Sequence, residues 1–388
     1  MHLCSRRLYR MKKKIQIACV LLIIFMISGT AIYFNIHRNR LPKQILYSTD
    51  LSVDGDFDDY FDLAALHALN NSLKPTIIVD GNNSGSKQTG VAAIHRLAEA
   101  VGWAGVTDTV IVGRDDNLSA PDDSRCSMEL VNALEQAGGG IDVVTVGSLR
   151  DIAALYNHSP ALFEKKVENI YVFAGDAEGT YAEYNVELDE TAFLRIMNSG
   201  LNIYWIPCFQ SGLFTAGNRT SYMQIPHSEI FQDTDPKLLN WFLYRFEMEN
   251  TDFEKWSQTE HDTTEFMKDI RNIWCAPLFP LLNGSMESYL QKYNETYHEN
   301  MELPFGFSEQ RVTFQENGAV VYGQGQVIHV FEVYNQEEYL KLSKYIMQTM
   351  FGQNIIYDGE KYVKEQEDYS MDNQYSDSSA ADYLYRAN

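Results

Sequence analysis

The 388-residue sequence predicts an α/β protein: an open, mainly parallel sheet with helices on both faces, plus a helical and small β C-terminal part. Three observations carry this. Short apolar runs alternate with helical stretches from Ile45 onward. The runs are apolar throughout instead of alternating, as strands covered on both faces must be. Hydrophobic residues make up 45% of the chain, enough for a large core.

Each element can be justified in order. "QILYST" is the first strand, and "FDLAALHAL" follows with helical spacing. "KPTIIVDG" is a second strand, and "GVAAIHRLAEAVG" a helix closed by a glycine. "DTVIVG" is a third strand, followed by the helix "SMELVNALEQAGGG". "IDVVTVG" and "SLRDIAALYNH" form the fourth strand–helix pair. "VENIYVFAG", "DETAFLRIMNSG" and "LNIYWIPC" supply a fifth strand, a helix and a sixth strand. From about Pro236 to Tyr297 the pattern is mostly helical and aromatic-rich. "VTFQENGAVVYGQGQVIHVFEV" reads as strands joined by turns, and "YLKLSKYIMQTMFG" as a last helix.

The termini are set apart from the folded part. Residues 1–14 form a basic tail carrying Arg6, Arg7, Arg10, Lys12, Lys13 and Lys14. Residues 15–34, "IQIACVLLIIFMISGTAIYF", carry no charge. Twenty helical residues span roughly 30 Å, one hydrocarbon core. The basic flank stays cytoplasmic by the positive-inside rule, so the rest is expected outside the cytoplasm. No small-x-small cleavage site precedes Asn35, which favours an uncleaved signal anchor over a removed signal peptide and secretion. Residues 35–44 read as a linker, 45–357 as one domain, and 358–388 as an acidic, disordered tail. Cys126, Cys208 and Cys275 are widely spaced; they suggest no zinc site and leave room for one disulfide.

The formal net charge of -22 argues against a nucleic-acid partner, because phosphates would be repelled. A cation is the more natural partner. Ligands of open α/β sheets gather at the carboxyl ends of the strands. Here those ends are "STDLSVDGDFDD", "DGNNSGS", "VGSLRD" and "AGDAEGTYAEYN". The first crowds Asp50, Asp54, Asp56, Asp58 and Asp59 into ten residues. A helix N-terminus relieves some of this charge, so a capped helix with a solvated acidic loop is one reading. A hard oxygen-seeking cation, Ca²⁺ or Mg²⁺, explains the density better. An EF-hand is excluded: Asp59 stands where its glycine belongs and Ala65 where its glutamate belongs. A phosphatase-type Asp-x-Asp-x-Thr is absent, since Leu51 and Ser52 follow "STD".

These segments resemble, in order, motifs of the inosine/uridine-preferring nucleoside hydrolases. "STD…DGDFDDYFDLAAL" is similar to that family's "DTDPGxDDAxAL". "TIIVDGNN" is similar to its strand ending in Gly-Asn, "VVTVGSLRDIA" to its "ATGPLTNIA", and "AEYNVELDETAF" to its "AEFNIYxDPEAA". The likeness covers about Ile45 to Cys208 and implies a Rossmann-like core. It implies hydrolysis of the N-glycosidic bond of ribonucleosides, purine or pyrimidine, to ribose and free base. A Ca²⁺-bound water would attack, and an aspartate would take its proton. It implies Asp59 and the Val146 carbonyl as Ca²⁺ ligands, with Asp50 or Asp54 as both ligand and base. Asp50 fits by strand position and Asp54 by its spacing to the aspartate pair. Asp56 is either a third ligand or solvated. Asp58, Asn82, Glu183 and Asn185 would hold the sugar.

The sequence also departs from the pattern. Ser48 replaces the first aspartate, and Leu51-Ser52 replaces Pro-Gly. The family's late His-Asp has two candidates. His261-Asp262 fits by composition, while Trp274-Cys275 fits better by the apolar helix expected to follow it. In the second case Trp274 either stacks on a substrate base or is core, and one metal ligand is missing. Two alternatives to a ribonucleoside hydrolase stay open: a hydrolase of another ribosyl or glycosyl compound, and a non-catalytic nucleoside- or carbohydrate-binding surface protein. Homo-oligomer formation is also open.

Overall fold

Strand β1 (Lys43–Thr49) and helix α1 (Asp58–Ala68) begin the computed structural model, which describes residues 42–52, 57–80, 87–246 and 252–352. The chain divides into two units, Met1–Ile355 and Ile356–Asn388, and every described residue lies in the first. The expected membrane anchor and acidic tail lie outside the described residues. Among those residues no helix is long and apolar enough to cross a membrane.

The chain continues through β2 (Leu73–Val79), α2 (Lys87–Val101), β3 (Val110–Val112), α3 (Met128–Gln136) and β4 (Ile141–Thr145). Next come α4 (Arg150–His158), α5 (Pro160–Lys166), β5 (Val167–Phe173), α6 (Tyr184–Leu188), α7 (Glu190–Met197) and β6 (Ile203–Ile206). A small antiparallel pair, β7 (Met223–Pro226) and β8 (Ile270–Ile273), flanks α8 (Pro236–Phe246) in sequence. The described chain ends with α9 (Met286–Tyr297), β9 (Phe305–Phe314), β10 (Val320–Tyr322), β11 (Gln326–Val333) and α10 (Gln336–Phe351).

The main sheet has nine strands in the order β10-β9-β11-β6-β5-β4-β1-β2-β3. Strands β1 to β6 pair in parallel and take the 3-2-1-4-5-6 order of doubly wound folds. Strand β11 extends them in parallel, and β9 and β10 close the edge antiparallel. The expected α/β class and mainly parallel sheet are thus present.

Two apolar layers show why the strands are apolar throughout. Ile45, Tyr47, Ile77, Val79, Val144 and Phe173 face one layer, with α1, α2 and α8. Leu46, Ile78, Val143, Ile170 and Val172 face the other, with α3, α4 and α7. Side chains alternate in direction along each strand, so both faces must be apolar. In the first layer Phe61 of α1 packs on Phe231, Phe242 and Phe351 at centroid distances of 5.5, 4.9 and 6.1 Å. Burying such a ring contributes about 3 kcal/mol. This packing fixes α1 under the sheet and so fixes where its acidic first turn points.

Strand order reverses between β1 and β4, so the chain departs in opposite directions from their carboxyl ends and leaves a crevice there. Helix α2 presses on this crevice from one side. A Cβ on Gly90 would come 2.1 Å from the Leu51 carbonyl oxygen, so glycine is what lets the helix approach the residue after Asp50.

One local expectation is corrected. The apolar stretch after Trp274-Cys275 is a 3-10 turn, Ala276–Leu281, and not an α-helix. Pro277 in the first turn would be tolerated, but Pro280 lies inside it, where its ring would clash with the carbonyl four residues back in an α-helix. Cys126, Cys208 and Cys275 are all free thiols, so none of them forms a disulfide.

Candidate functional site

The carboxyl ends of β1 and β4 carry the expected residues side by side. Val146 N–H donates to the Ser48 carbonyl at 2.9 Å, which continues the β1–β4 pairing to the crevice. A Cβ on Gly147 would come 2.8 Å from the Asp50 nitrogen and 3.1 Å from its Oδ1, so β4 ends in contact with Asp50. Asp59, in the first turn of α1, accepts a hydrogen bond from Thr49 Oγ1 at 2.7 Å. One side chain thereby joins the end of β1 to the start of α1.

Asp59 is 7% exposed and Asp62, three residues along the same helix, 3%. Burial pushes the Asp59 carboxyl well above the usual range, and repulsion by Asp50, Asp58 and Asp62 raises it further. Burial pushes Asp62 up to about 8, although the Cys275 thiol and the Ala276 N–H both donate to it; Asp50 adds repulsion. Asp50, Asp59 and Asp62 are therefore mutually close enough to repel. The sequence reading stopped at the Asp58-Asp59 pair and missed Asp62. Its signal was the three- and four-residue spacing from that pair, which puts all three on one helix face.

The second wall comes from the loop after β5. Glu183 caps α6: its Oε1 accepts from Asn185 N–H at 3.0 Å, and its Oε2 accepts from Gly175 N–H at 2.8 Å. Burial pushes Glu183 up to about 7, against the lowering effect of those bonds. Asn185 in turn donates its Nδ2–H to the Val146 carbonyl at 3.0 Å. Both Glu183 oxygens are thus used inside the protein, and Asn185 reaches the carbonyl that the resemblance assigns to the cation. A carbonyl oxygen has two lone pairs, so one remains for a ligand.

The late candidates separate. Cys275 lies against Asp62, and the acidic charges of Asp62, Asp58 and Asp59 act on its thiol. Trp274 is 7% exposed and donates Nε1–H to the Cys208 carbonyl at 3.1 Å. It packs with Phe209, Phe214 and Tyr222 at 5.8, 6.3 and 5.4 Å between centroids. Phe214, held at φ 52° and 43% exposed, is the ring of that group most open to solvent. His261 instead stacks on Trp256, with centroids 3.5 Å apart, and Asp262 caps the turn at Thr264. Asp54, Asp56 and Asn82 lie outside the described residues.

A neighbouring group of charges is compensated, which sets off the uncompensated one. Asp80, at the end of β2, accepts from Ser148 Oγ and faces Arg150 at 3.5 Å. Arg150 also faces Asp189 at 3.7 Å and donates to the Leu188 carbonyl at 2.9 Å. Asp59 and Asp62 have no ion-pair partner of this kind among the described residues. Two buried carboxylates without an ion-pair partner, both repelled by Asp50, are hard oxygen donors of the kind a divalent cation takes. Among the described residues, no group of three or more His, Cys, Asp or Glu side chains is placed to hold a metal ion.

These shifts predict a pH dependence. A carboxyl whose pKa is raised on folding stabilises the fold fully below its unfolded value, and that contribution is lost as pH rises through the folded value. Asp62 at about 8, with Asp151 and Glu183 at about 7, act in this sense. Buried His67 and His227, pulled down to about 4, act oppositely, but only below the ordinary histidine range. Between pH ~6.5 and ~8.5 the carboxylates dominate, and the metal-free protein should lose about 2 kcal/mol. Urea midpoints in chelator across that range check this; a flat or rising profile contradicts it.

The fold and site define an open α/β protein of 3-2-1-4-5-6 order with an acidic crevice at the carboxyl ends of β1 and β4. No protein-family model and no curated protein matches the chain. Among solved structures, it is similar to an inosine-uridine preferring nucleoside hydrolase from Bacillus anthracis, at 13% identity and TM-score 0.42, over 79% of this chain and 99% of that one. It is similar to the type III effector protein XopQ complexed with adenosine diphosphate ribose, at 13% identity and TM-score 0.47, over 84% and 99%. A purine-preferring ribonucleoside hydrolase from Gardnerella vaginalis is similar at 10% identity and TM-score 0.45, over 79% and 99%.

Proposed function

We propose that this chain is an N-glycosidase that hydrolyses ribonucleosides to ribose and free base, held at the membrane by residues 15–34 with its domain outside the cytoplasm. The observation that carries the reading is Asp59 of α1, a buried carboxylate repelled by Asp50 and without an ion-pair partner among the described residues. Four collinear sequence motifs that resemble the nucleoside hydrolases support it.

In the proposed reaction a water oxygen bonds to the anomeric carbon while the C–N bond breaks. The bond pair leaves with the base; one water proton stays on the new sugar hydroxyl, the other passes to Asp50 or Asp54, and the base takes up an equivalent proton from solvent. Developing positive charge on the ribosyl ring is stabilised by the surrounding carboxylates. Calcium, when bound, supplies polarisation of the water and a fixed point for the sugar hydroxyls. Asp59 and the Val146 carbonyl would hold it, with Asp50 or Asp54. Asp58, Asn82 and Asn185 would orient the sugar, and Glu183 holds Asn185 in place. The exposed Phe214 ring beside Tyr222 and Trp274 offers a face for a planar base.

The test is release of ribose by the full chain from a panel of purine and pyrimidine ribonucleosides, with and without chelator. Chelator-sensitive release supports the reading. Saturable nucleoside binding without release from any of them overturns it in favour of a binding protein.

A further inference from the structure

Residues 210–215 form a loop just past the carboxyl end of β6, and its backbone is strained. Ser211, Gly212 and Phe214 have φ of 66°, 123° and 52°. Left-handed backbone is ordinary for glycine and unfavourable for serine and, above all, for phenylalanine. Here the strain exposes apolar surface instead of hiding it: Leu213 is 47% exposed, as Phe214 nearly is. Burial of apolar area does not explain such an arrangement. Backbone strain of this kind persists only where the surroundings impose it.

Asp176, in the loop after β5, imposes it. The residue is buried, and its carboxylate accepts three backbone N–H groups: Glu178 at 2.8 Å, Ser211 at 3.1 Å and Gly212 at 2.6 Å. Two of these three come from the strained loop. The loop also closes on itself, with Gln210 N–H donating to the Thr215 carbonyl at 3.0 Å. Fixing residues 211 and 212 inside a closed loop therefore fixes Phe214. Its ring stands against Phe209 at 5.6 Å, with Tyr222 and Trp274 at 5.9 and 6.3 Å.

Short bonds tie this loop to the crevice. Cys208 N–H donates to the Gly175 carbonyl at 2.9 Å, and Ala177 N–H to the Phe209 carbonyl at 2.8 Å, so Asp176 is flanked on both sides by bonds to the end of β6. Gly175 N–H donates to Glu183, which accepts from Asn185, and Asn185 reaches the Val146 carbonyl. One bonded network thus runs from β4 to the loop that carries Phe214.

We propose that Asp176 is a positioning residue that holds the 210–215 loop in its strained shape, and that the loop presents Phe214 to select a flat heteroaromatic leaving group. An aromatic face stacks on any planar base without reading its edge. The contact therefore separates ribosides of planar bases from other ribosyl and glycosyl compounds, and it accepts purines and pyrimidines alike. This rests on the N-glycosidase reading above and deepens it. The strain sets the ring in place before a ligand arrives, so less freedom is lost on binding.

The experiment measures binding apart from turnover. Free adenine and free uracil are titrated calorimetrically into the full chain, with ribose as the control, and KM and kcat are measured for adenosine and uridine. Phe214→Ala should weaken both bases by about tenfold or more and leave ribose affinity in place, while Phe214→Tyr keeps base affinity. KM for both nucleosides should rise by a similar factor, with the smaller change in kcat. Asp176→Asn keeps the shape and one oxygen acceptor. It should weaken base binding through Phe214, so adding Phe214→Ala to it should weaken binding less than Phe214→Ala does alone. Gly212→Ala places a side chain at φ 123° without touching Asp176 and should weaken base binding in the same way. A merely structural Asp176 would lower the melting temperature and leave the effect of Phe214→Ala unchanged. Equal base affinity in Phe214→Ala or Asp176→Asn, full additivity of the two, or no base binding by the unsubstituted chain overturns the proposal. If Asp176→Asn does not fold, Gly212→Ala decides, and equal base affinity there overturns it. Ribose release with an unchanged KM in Phe214→Ala would overturn the proposal while leaving an N-glycosidase. Phe214-dependent base binding without ribose release would overturn the N-glycosidase and leave the base platform.

Discussion

Asp59→Asn is expected to stabilise the metal-free protein by about 1–3 kcal/mol, because it removes a buried charge that nothing compensates. The Asp59 carboxylate is buried, repelled by Asp50, Asp58 and Asp62, and supported by one neutral hydrogen bond from Thr49. Asparagine can still accept that bond, so the link between β1 and α1 survives. The same substitution should lower ribose release roughly 1,000-fold, since it removes a ligand charge where the cation and the attacking water are held. Opposite signs for stability and activity are the signature of a site whose charge is kept for function. Urea denaturation in chelator and steady-state ribose release check the two halves. A variant that is both less stable and fully active would make Asp59 an ordinary helix-start residue.

The fold was legible because its physics is local and repeated. Strand β4 is buried throughout, and β1 and β2 over their carboxyl-terminal residues, so these runs are apolar without alternation and stand out from the amphipathic helices between them. The crevice was legible because β1 ends in aspartates, a pattern no core requires. What escaped was set by long-range contacts. Asp62 reads locally as an interruption in an apolar helix face, and only the 276–281 turn, more than two hundred residues away, shows what it meets. That turn itself looked helical from its apolar residues, yet Pro280 inside it opposes an α-helix. Glu183 was read as a ligand to the sugar. Each of its oxygens also accepts a backbone N–H, a structural use that depends on the Gly175 turn folding back onto α6 and that the sequence did not show.

That use makes Glu183 a demanding position. Glu183→Ala should destabilise the protein by about 3 kcal/mol, because Gly175 N–H and Asn185 N–H lose their acceptor in a buried place and α6 loses its cap. Glu183→Gln keeps one oxygen acceptor and should lose only about 1 kcal/mol. The functional effect follows from connectivity. Asn185 is aligned by Glu183 and donates to the Val146 carbonyl, which in turn extends from β4 beside Asp50. Releasing Asn185 therefore loosens the carbonyl proposed to face the cation without touching any aspartate. In Glu183→Ala the cation affinity should fall by about tenfold to a hundredfold, the range expected for a residue that orients a ligand and does not itself ligate. The glutamine variant should lie between alanine and the unsubstituted chain in both stability and affinity. If the alanine variant lost stability but bound the cation as tightly as before, Asn185 and the Val146 carbonyl would belong to the scaffold of the crevice and not to its binding surface.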